Sequence, residues 1–469
     1  MDAPTPIPPD VLASLPPSVV AFIQWQTEKI SRLTARVAEL EAKLNKNPTN
    51  SSKPPSSTHP HDKPPNPGKP KSKRKRGGQP GHPKHERELI PTTECQEVVP
   101  CVPTECRRCG QELQGIDVDP LRHQVWELPE IKPIVTEYQQ HRLTCSCGCS
   151  TCGELPQGVP TGQAGPRLVA FTALLMACFR QSKRRAAQFL STILNQPASA
   201  GWMVLLQNRA AEAVKPAYEE LAAQLPQEPM LNIDESPTKE GQAKAWVWTF
   251  VAATFTYFVC ATSRAAEVAK KVLGENYDGI IHCDRARMYW CFGRLQWCWA
   301  HLKRDFQAWI DDPCATKQQL GSDLMRQTKK LFALWQKVRD GTLSRREFQS
   351  KMKPIRQRVE NVLVRAYVDP LTETIVKELV EHIDNLWTFV DIEGVEPTNN
   401  AAEQALRHAV IWRKLSFGTQ SASGSRFVER LLSVIETCRR QKRNSFTWLT
   451  EAVRADFHRA SAPSLLSVA

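Results

Sequence analysis

The sequence predicts a multidomain α/β protein, on three observations. A stretch rich in Pro, Ser and Lys interrupts the chain at 45–92, six cysteines crowd into 106–152, and beyond 227 short apolar runs alternate with helical spacing. At 469 residues the chain is also longer than one ordinary core encloses. We divide it into a helical coiled-coil segment (1–44), a disordered basic linker (45–92), a cysteine-rich metal-binding domain (93–160) and a helical segment (161–226). An α/β core follows in two parts (227–300 and 395–445), with a helical insertion between them (301–394) and a C-terminal tail (446–469).

Charge narrows the class of partner. Lys and Arg number 62 against 49 Asp and Glu, a net +13, which points to a polyanion, with nucleic acid ahead of an anionic membrane surface. The longest nearly unbroken apolar stretch, 168–179, falls short of the ~20 residues a membrane span needs. The N-terminus lacks a basic-then-apolar signal pattern. A cytoplasmic protein with no membrane partner is therefore expected. Fifteen cysteines in so large a chain, without an export signal, favour metal ligation over disulfides. Cys178, Cys260 and Cys438 lie in apolar patterns and read as core residues.

In the first segment Ile23, Ile30, Leu33, Val37, Leu40 and Leu44 follow a 7, 3, 4, 3, 4 spacing with charged residues between them, a short coiled-coil seam. The linker that follows cannot bury enough apolar area to offset the entropy of ordering. Within it Lys73, Arg74, Lys75 and Arg76 form a basic run suited to phosphate contact without sequence choice.

Next come Cys106-Arg-Arg-Cys109-Gly and, further on, Cys145-Ser-Cys147-Gly-Cys149-Ser-Thr-Cys152. A CxxC turn presents two thiolates together, and a second pair completes the tetrahedral shell of one structural Zn²⁺. Cys145 with Cys147, or Cys149 with Cys152, would supply that second pair; Cys106, Cys109, Cys145 and Cys147 are our assigned set. Between the knuckles, Gln124-Val-Trp-Glu-Leu and Ile134-Val-Thr-Glu-Tyr-Gln have the β-branched and apolar content of two strands, which makes the domain a zinc ribbon. Residues 167–223 are helical by spacing, with an apolar face at Leu168, Phe171, Leu174, Leu175 and Cys178 followed by Arg180, Lys183, Arg184 and Arg185. The pattern suits a DNA-binding or connecting helical layer.

Met230-Leu-Asn-Ile-Asp234 reads as a strand closing on an acid, followed by strand-like runs at 245–251 and 254–260; Gly279-Ile-Ile-His-Cys-Asp284 is a second apolar run closed by Asp. Aspartates at the tips of two buried strands are costly unless a cation or a hydrogen-bond shell compensates them, and neighbouring tips can share a metal. A third acid, Glu403, lies on the first turns of a helix opened by Pro397 and Asn399 or Asn400, with Arg407 one turn further on the same face. Arg407, Arg413 and Lys414 would approach phosphates beside the metals.

Together these residues resemble the insertion sequence 66 group of bacterial DDE transposases, from about Leu44 to Gln441. Asn45-Lys-Asn-Pro-Thr-Asn-Ser-Ser-Lys-Pro-Pro-Ser-Ser and Gly77-Gly-Gln-Pro-Gly-His82 look like the two signatures that precede that family's cysteines. Ile233-Asp234-Glu-Ser, His282-Cys-Asp284 and Asn399-Asn-Ala-Ala-Glu403-Gln-Ala-Leu-Arg407 correspond to its three acidic motifs, and Cys298-Trp-Ala-His301-Leu-Lys-Arg304 and Ile411-Trp-Arg413-Lys-Leu-Ser-Phe-Gly418 are further matches. The Cys298/His301 pair has metal-ligand spacing, but two ligands alone rarely hold zinc, so we read it as architectural. Asp284 is followed by Arg-Ala-Arg-Met-Tyr, where the family usually has a Gly-Tyr type of turn.

The resemblance implies an RNase H-like fold with a helical insertion before the last acid, which the helical spacing of 306–386 supports independently. It implies a transposase that binds the element's terminal inverted repeats and target DNA, and that cuts and joins strands with Mg²⁺ or Mn²⁺. Asp234 and Asp284 would hold both ions and Glu403 one. A homo-oligomer and accessory proteins of the same element are expected partners. The alternatives are an inactive or domesticated DNA-binding relative and a stand-alone RNase H-like nuclease.

Overall fold

The computed structural model describes residue 11 and residues 14–51, 88–368 and 374–466. Lys73, Arg74, Lys75, Arg76 and the glycine-rich signature at 77–82 lie outside the described residues. Among the described residues, 88–134 form one compact unit and the others a second.

Helix α1 (Pro17–Leu44) opens on a proline at its first position, where the missing N–H has no intrahelical role. Its seam residues Ile30, Leu33, Val37, Leu40 and Leu44 are exposed. At the head of the segment read as linker, residues 45–51 fold back by side-chain turns. Asn47 N–H donates to Asn50 Oδ1 at 2.8 Å and Thr49 N–H to Asn47 Oδ1 at 2.8 Å, while Asn50 Nδ2 reaches Asp311 Oδ2 at 3.0 Å.

The strands expected at 124–128 and 134–139 are absent. Val125, Leu128, Ile134 and Val135 are exposed, and Pro129 and Pro133 between the two runs remove N–H donors, so β-branched content finds no ladder. Gln124 instead clasps Ile90, accepting its N–H at 3.0 Å and donating to its carbonyl at 2.8 Å. The larger unit has a hairpin of its own, β1 (Arg142–Thr144) with β2 (Ser150–Cys152), antiparallel with Leu143 opposite Thr151.

Four helices follow: α2 (Pro166–Ala177), α3 (Lys183–Ile193), α4 (Ala200–Ala213) and α5 (Lys215–Gln224). Ser182 and Ser199 cap α3 and α4 by accepting from Arg185 and Trp202 N–H. Their buried Val169, Ala173, Leu190, Met203 and Ala210 join the main core.

The centre is a five-stranded mixed sheet in the order β5-β4-β3-β6-β7. β3 (Met230–Glu240), β4 (Ala243–Val251) and β5 (Thr256–Ala261) form the expected antiparallel meander; after helix α6 (Ala266–Leu273), β6 (Ile280–Cys283) and β7 (Leu295–Trp297) run parallel to β3. β3 does not end at Asp234, as its apolar run suggested. Its ladder with β6 stops at Asn232↔His282, but its ladder with β4 continues to Glu240↔Ala243. Pro237 is tolerated because β6 has already ended on that side. Trp248, Phe250, Phe258 and Trp297 are fully buried between the sheet and its helices.

The insertion supplies α7 (Trp299–Ile310), α8 (Ala315–Arg339), α9 (Arg345–Tyr367), α10 (Thr374–Glu381) and α11 (Thr388–Asp391). Gly321 lets α8 cross α7 closely: a Cβ there would stand 2.6 Å from the Phe306 carbonyl. The chain then returns through α12 (Asn400–Ser416) and α13 (Ala422–Arg440). Between them Phe417 and Gly418 take positive φ, and Gly418 sits so near Lys239 that a Cβ would be 2.5 Å from its carbonyl. Helix α14 (Ser445–Phe457), in the segment read as a tail, packs on α2 and buries Trp448 and Leu449.

Strand β5 is a sheet edge, and α13 closes it with side chains. Glu429 Oε2, Ser433 Oγ and Thr437 Oγ1 accept from the N–H groups of Cys260, Phe258 and Thr256 at 2.8, 2.8 and 3.1 Å. Four helical residues advance about 6 Å and two strand residues about 6.6 Å, so an i, i+4, i+8 row matches alternate strand positions.

Candidate active site

The parallel register of β3 and β6 brings the first two acids together. Met230 pairs with Ile280, Leu231 with Ile281 and Asn232 with His282; Asp234 and Asp284 each come two residues after the last of these pairs, close enough for the charge of Asp284 to act on Asp234. Each carboxylate is held by local backbone: Asp234 Oδ1 accepts from Glu235 N–H at 2.9 Å, and Asp284 Oδ1 from Ala286 N–H at 2.8 Å. Burial, then the charges of Glu235, Asp284 and Glu403, push the Asp234 carboxyl well above the usual carboxylate range.

Glu403 is delivered by the N-terminus of α12. Asn399, the residue before the helix, makes no side-chain bond to its own first turn. Its Nδ2 donates to Ile233 O at 2.7 Å and its Oδ1 accepts from Asn232 Nδ2 at 2.9 Å. Its N–H donates to Cys298 Sγ at 3.2 Å, and Trp299 N–H donates to Pro397 O at 2.9 Å. Asn399 thus ties β3, the start of α7 and the start of α12 at one point.

Around Glu403 Oε1 stand His301 Nδ1 at 3.7 Å and Arg304 Nη2 at 4.0 Å. Glu403 Oε1 and His301 Nδ1 are both buried without a hydrogen-bond partner. A cavity of about 220 Å³ opens beside them, lined by Asp284, Arg285, Cys298, His301 and Asp305 among others. Burial pushes the Cys298 thiol up to about 11, and lowers the His301 imidazole from its ordinary value.

Several participants have no signal in the sequence. Arg285, next to Asp284, pairs with Asp305 at 3.2 Å and with Glu378 of α10 at 2.5 Å, and Arg287 reaches the same Glu378 at 3.0 Å. The insertion therefore contacts the turn that follows the second acid. On the other side Glu235, with a side chain only 2% exposed, is held by Arg264 at 2.7 Å and by the Tyr289 hydroxyl. The doublet of Asn399 and Asn400 did mark the start of a helix, but not that Asn399 would bond a strand.

The remaining predicted residues divide. Arg407 and Lys414 are exposed on α12. Arg413 is half-buried and donates to Ser236 Oγ at 3.2 Å and to the Pro237 carbonyl, so its guanidinium braces β3. Each cysteine knuckle closes locally. Gly110 N–H donates to Cys106 O at 2.9 Å and Gly148 N–H to Cys145 O at 2.9 Å, both glycines taking the positive φ such turns need. The Cys106 thiol is lowered by the N–H groups of Arg108 and Cys109 and by the Cys109 thiol; that of Cys145 is lowered by the N–H and thiol of Cys147. Cys106 is thus gathered with Cys109, and Cys145 with Cys147.

No helix among the described residues is long and apolar enough to cross a membrane. No curated protein matches the chain. Residues 19–88 match a family of unknown function, DUF6444. Residues 161–426, more than half of the chain and inclusive of all three acids and the insertion, match the model of the Transposase IS66 family, and the chain belongs to that family.

Proposed function

We propose that this transposase-family protein cuts and joins DNA at the inverted repeats of its own insertion sequence, with Asp234, Asp284 and Glu403 as its catalytic acids. One observation carries the reading: Asp234 and Asp284 each follow the last β3/β6 pair by two residues, and the charges of Asp284 and Glu403 both act on Asp234. The strand order, with the first strand central between an antiparallel meander and two parallel strands, supports an RNase H-like core.

The site suits divalent cations. A buried carboxylate beside two others, and a Glu403 oxygen without a hydrogen-bond donor, concentrate negative charge that a cation would compensate. Asp234 and Asp284 would hold two magnesium or manganese ions and Glu403 one of them. When bound, such ions supply Lewis-acid activation of a water or a DNA 3′-hydroxyl and stabilisation of the leaving oxygen. The protein's own part is positioning. Asn399 holds the helix that carries Glu403 against β3, Arg285 is oriented by Glu378 and Asp305, and exposed Arg407 and Lys414 would meet DNA phosphates beside the acids.

The cysteine knuckles are proposed, on their sequence spacing, as the ligands of one structural zinc ion in the end-binding module. Lys73, Arg74, Lys75 and Arg76 would add phosphate contacts. The exposed seam of α1 supports pairing of two protomers, so that both ends are processed together.

The test is strand transfer in vitro with purified protein, Mg²⁺ or Mn²⁺, and DNA carrying the repeats that flank its gene. Joined product that disappears with Asp284→Ala is the expected result. Specific binding without cleavage in both proteins would replace this reading with a binding-only role.

A further inference from the structure

Cys298 and His301 have ligand spacing but, as a pair, too few donors for a cation. The structure supplies a third. The Cys298 thiol, a His301 ring nitrogen and a Glu403 oxygen all lie within 4.8 Å of one another, the sole such group of three or more among the described residues. We propose that these three side chains form a site for a zinc-class cation, separate from the magnesium-class positions at Asp234 and Asp284 but sharing Glu403 with them.

The donor set argues for the class of metal. Thiolate, imidazole and carboxylate together select a borderline-soft ion such as Zn²⁺ or Co²⁺ over Mg²⁺, which prefers oxygen alone. Donors around one tetrahedral ion stand about 3.3–3.8 Å apart, from bond lengths of about 2.0–2.3 Å. His301 Nδ1 and Glu403 Oε1, at 3.7 Å, already meet that spacing. That distance is too long for a hydrogen bond. Both atoms are nevertheless buried without a hydrogen-bond partner, Arg304 Nη2 staying 4.0 Å from Glu403 Oε1, an arrangement that a cation between them would resolve.

The surroundings suit bound anionic ligands as well. Asn399 N–H donates to Cys298 Sγ at 3.2 Å, the kind of outer contact that orients a metal thiolate. Cys298 immediately precedes α7 and Glu403 lies on the first turn of α12. Helix N-termini carry partial positive charge, so they favour a thiolate and a carboxylate there more than a bare cation. Occupancy would staple the two helix starts together and draw Glu403 towards α7, so that the two classes of cation compete for one acid.

The test is metal binding by the full chain without DNA, so it does not depend on transposition. Chelator-treated protein receives one equivalent of Zn²⁺ for the cysteine knuckles and is then titrated with Co²⁺. The expected result is a further equivalent with a thiolate-to-cobalt absorption band, weakened more than tenfold in Cys298→Ser and in His301→Ala and kept in Asp234→Asn. Wild-type protein that shows no such band overturns the proposal, even where a variant fails to fold, and so does a band of equal affinity in folded Cys298→Ser. Strand transfer by a protein without the band would sink this proposal alone; the band without strand transfer would sink only the transposase reading.

Discussion

The side-chain amide of Asn399 donates to the carbonyl of Ile233 at 2.7 Å, joining the residue before the third acid's helix to the residue before the first acid. The same side chain accepts from Asn232 at 2.9 Å, and Asn399 is only 1% exposed. Replacing it with Ala strands a carbonyl and an amide in a site from which water is largely excluded, each at about 1–3 kcal/mol. Asn399→Ala should therefore lose roughly 2–4 kcal/mol in denaturant melts and also lose strand cleavage, because Glu403 is no longer held over β3. Exposed Asn400→Ala is the control and should change neither. Equal melts for the two variants would remove Asn399 from this role.

The cover on the sheet edge makes a second prediction. Thr437 Oγ1 accepts from Thr256 N–H at 3.1 Å and donates to Thr256 O at 3.2 Å, so one hydroxyl serves both backbone groups of an edge residue. Thr437→Val keeps the shape and removes the hydroxyl. It should cost about 1–3 kcal/mol of stability and speed hydrogen exchange at Thr256 more than at Phe258, which depends on Ser433. Uniform exchange along β5 would show that the edge does not need this cover.

These two contacts also mark the limit of what the chain's pattern discloses. The apolar runs at 230–233 and 279–283 disclosed β3 and β6, and the acids that follow them, because a buried parallel pair needs near-continuous apolar residues. The second half of β3, with Glu235, Pro237, Lys239 and Glu240, has no such pattern; it is a strand because β4 offers it a partner. Val125 and Ile134 have the pattern and no partner. The same asymmetry holds in the site. Acids and cysteines are visible one by one, whereas the hold of Glu378 on Arg285 spans the insertion and depends on how that insertion folds back.

Glu429 should make stability depend on pH. Burial pushes its carboxyl up to about 7 from the ordinary 4.5, against the pull of Cys260 N–H, Arg426, Arg430 and Tyr218. Because the folded value is the raised one, the folded state binds more protons between these values, and stability falls as pH rises from about 4.5 to about 7. Glu429→Gln still accepts from Cys260 N–H but cannot titrate. Its urea stability relative to wild type should therefore climb across that window and level off above it, by roughly 3 kcal/mol at most. A difference that stays flat from pH 4.5 to 8 would contradict this account.

Asp234 sets function against stability. Its carboxyl is raised by burial first and then by the charges of Glu235, Asp284 and Glu403, so ionising it at neutral pH opposes folding unless a cation is present. As for any acid whose folded value is raised, its stabilising contribution exists at low pH and is lost as pH rises through the folded value. Asp234→Asn keeps the shape and the bond from Glu235 N–H while removing the charge. In chelator at pH 8 the variant should melt above wild type, and its advantage should shrink as the pH is lowered towards the ordinary Asp range. Millimolar Mg²⁺ should raise the wild-type melt by selective binding to the folded state and leave the variant nearly unmoved, while strand cleavage falls to the level of chelated protein. A variant that melts below wild type in chelator, and responds to Mg²⁺ as wild type does, would mean that Asp234 is an ordinary strand residue rather than half of a metal-binding pair.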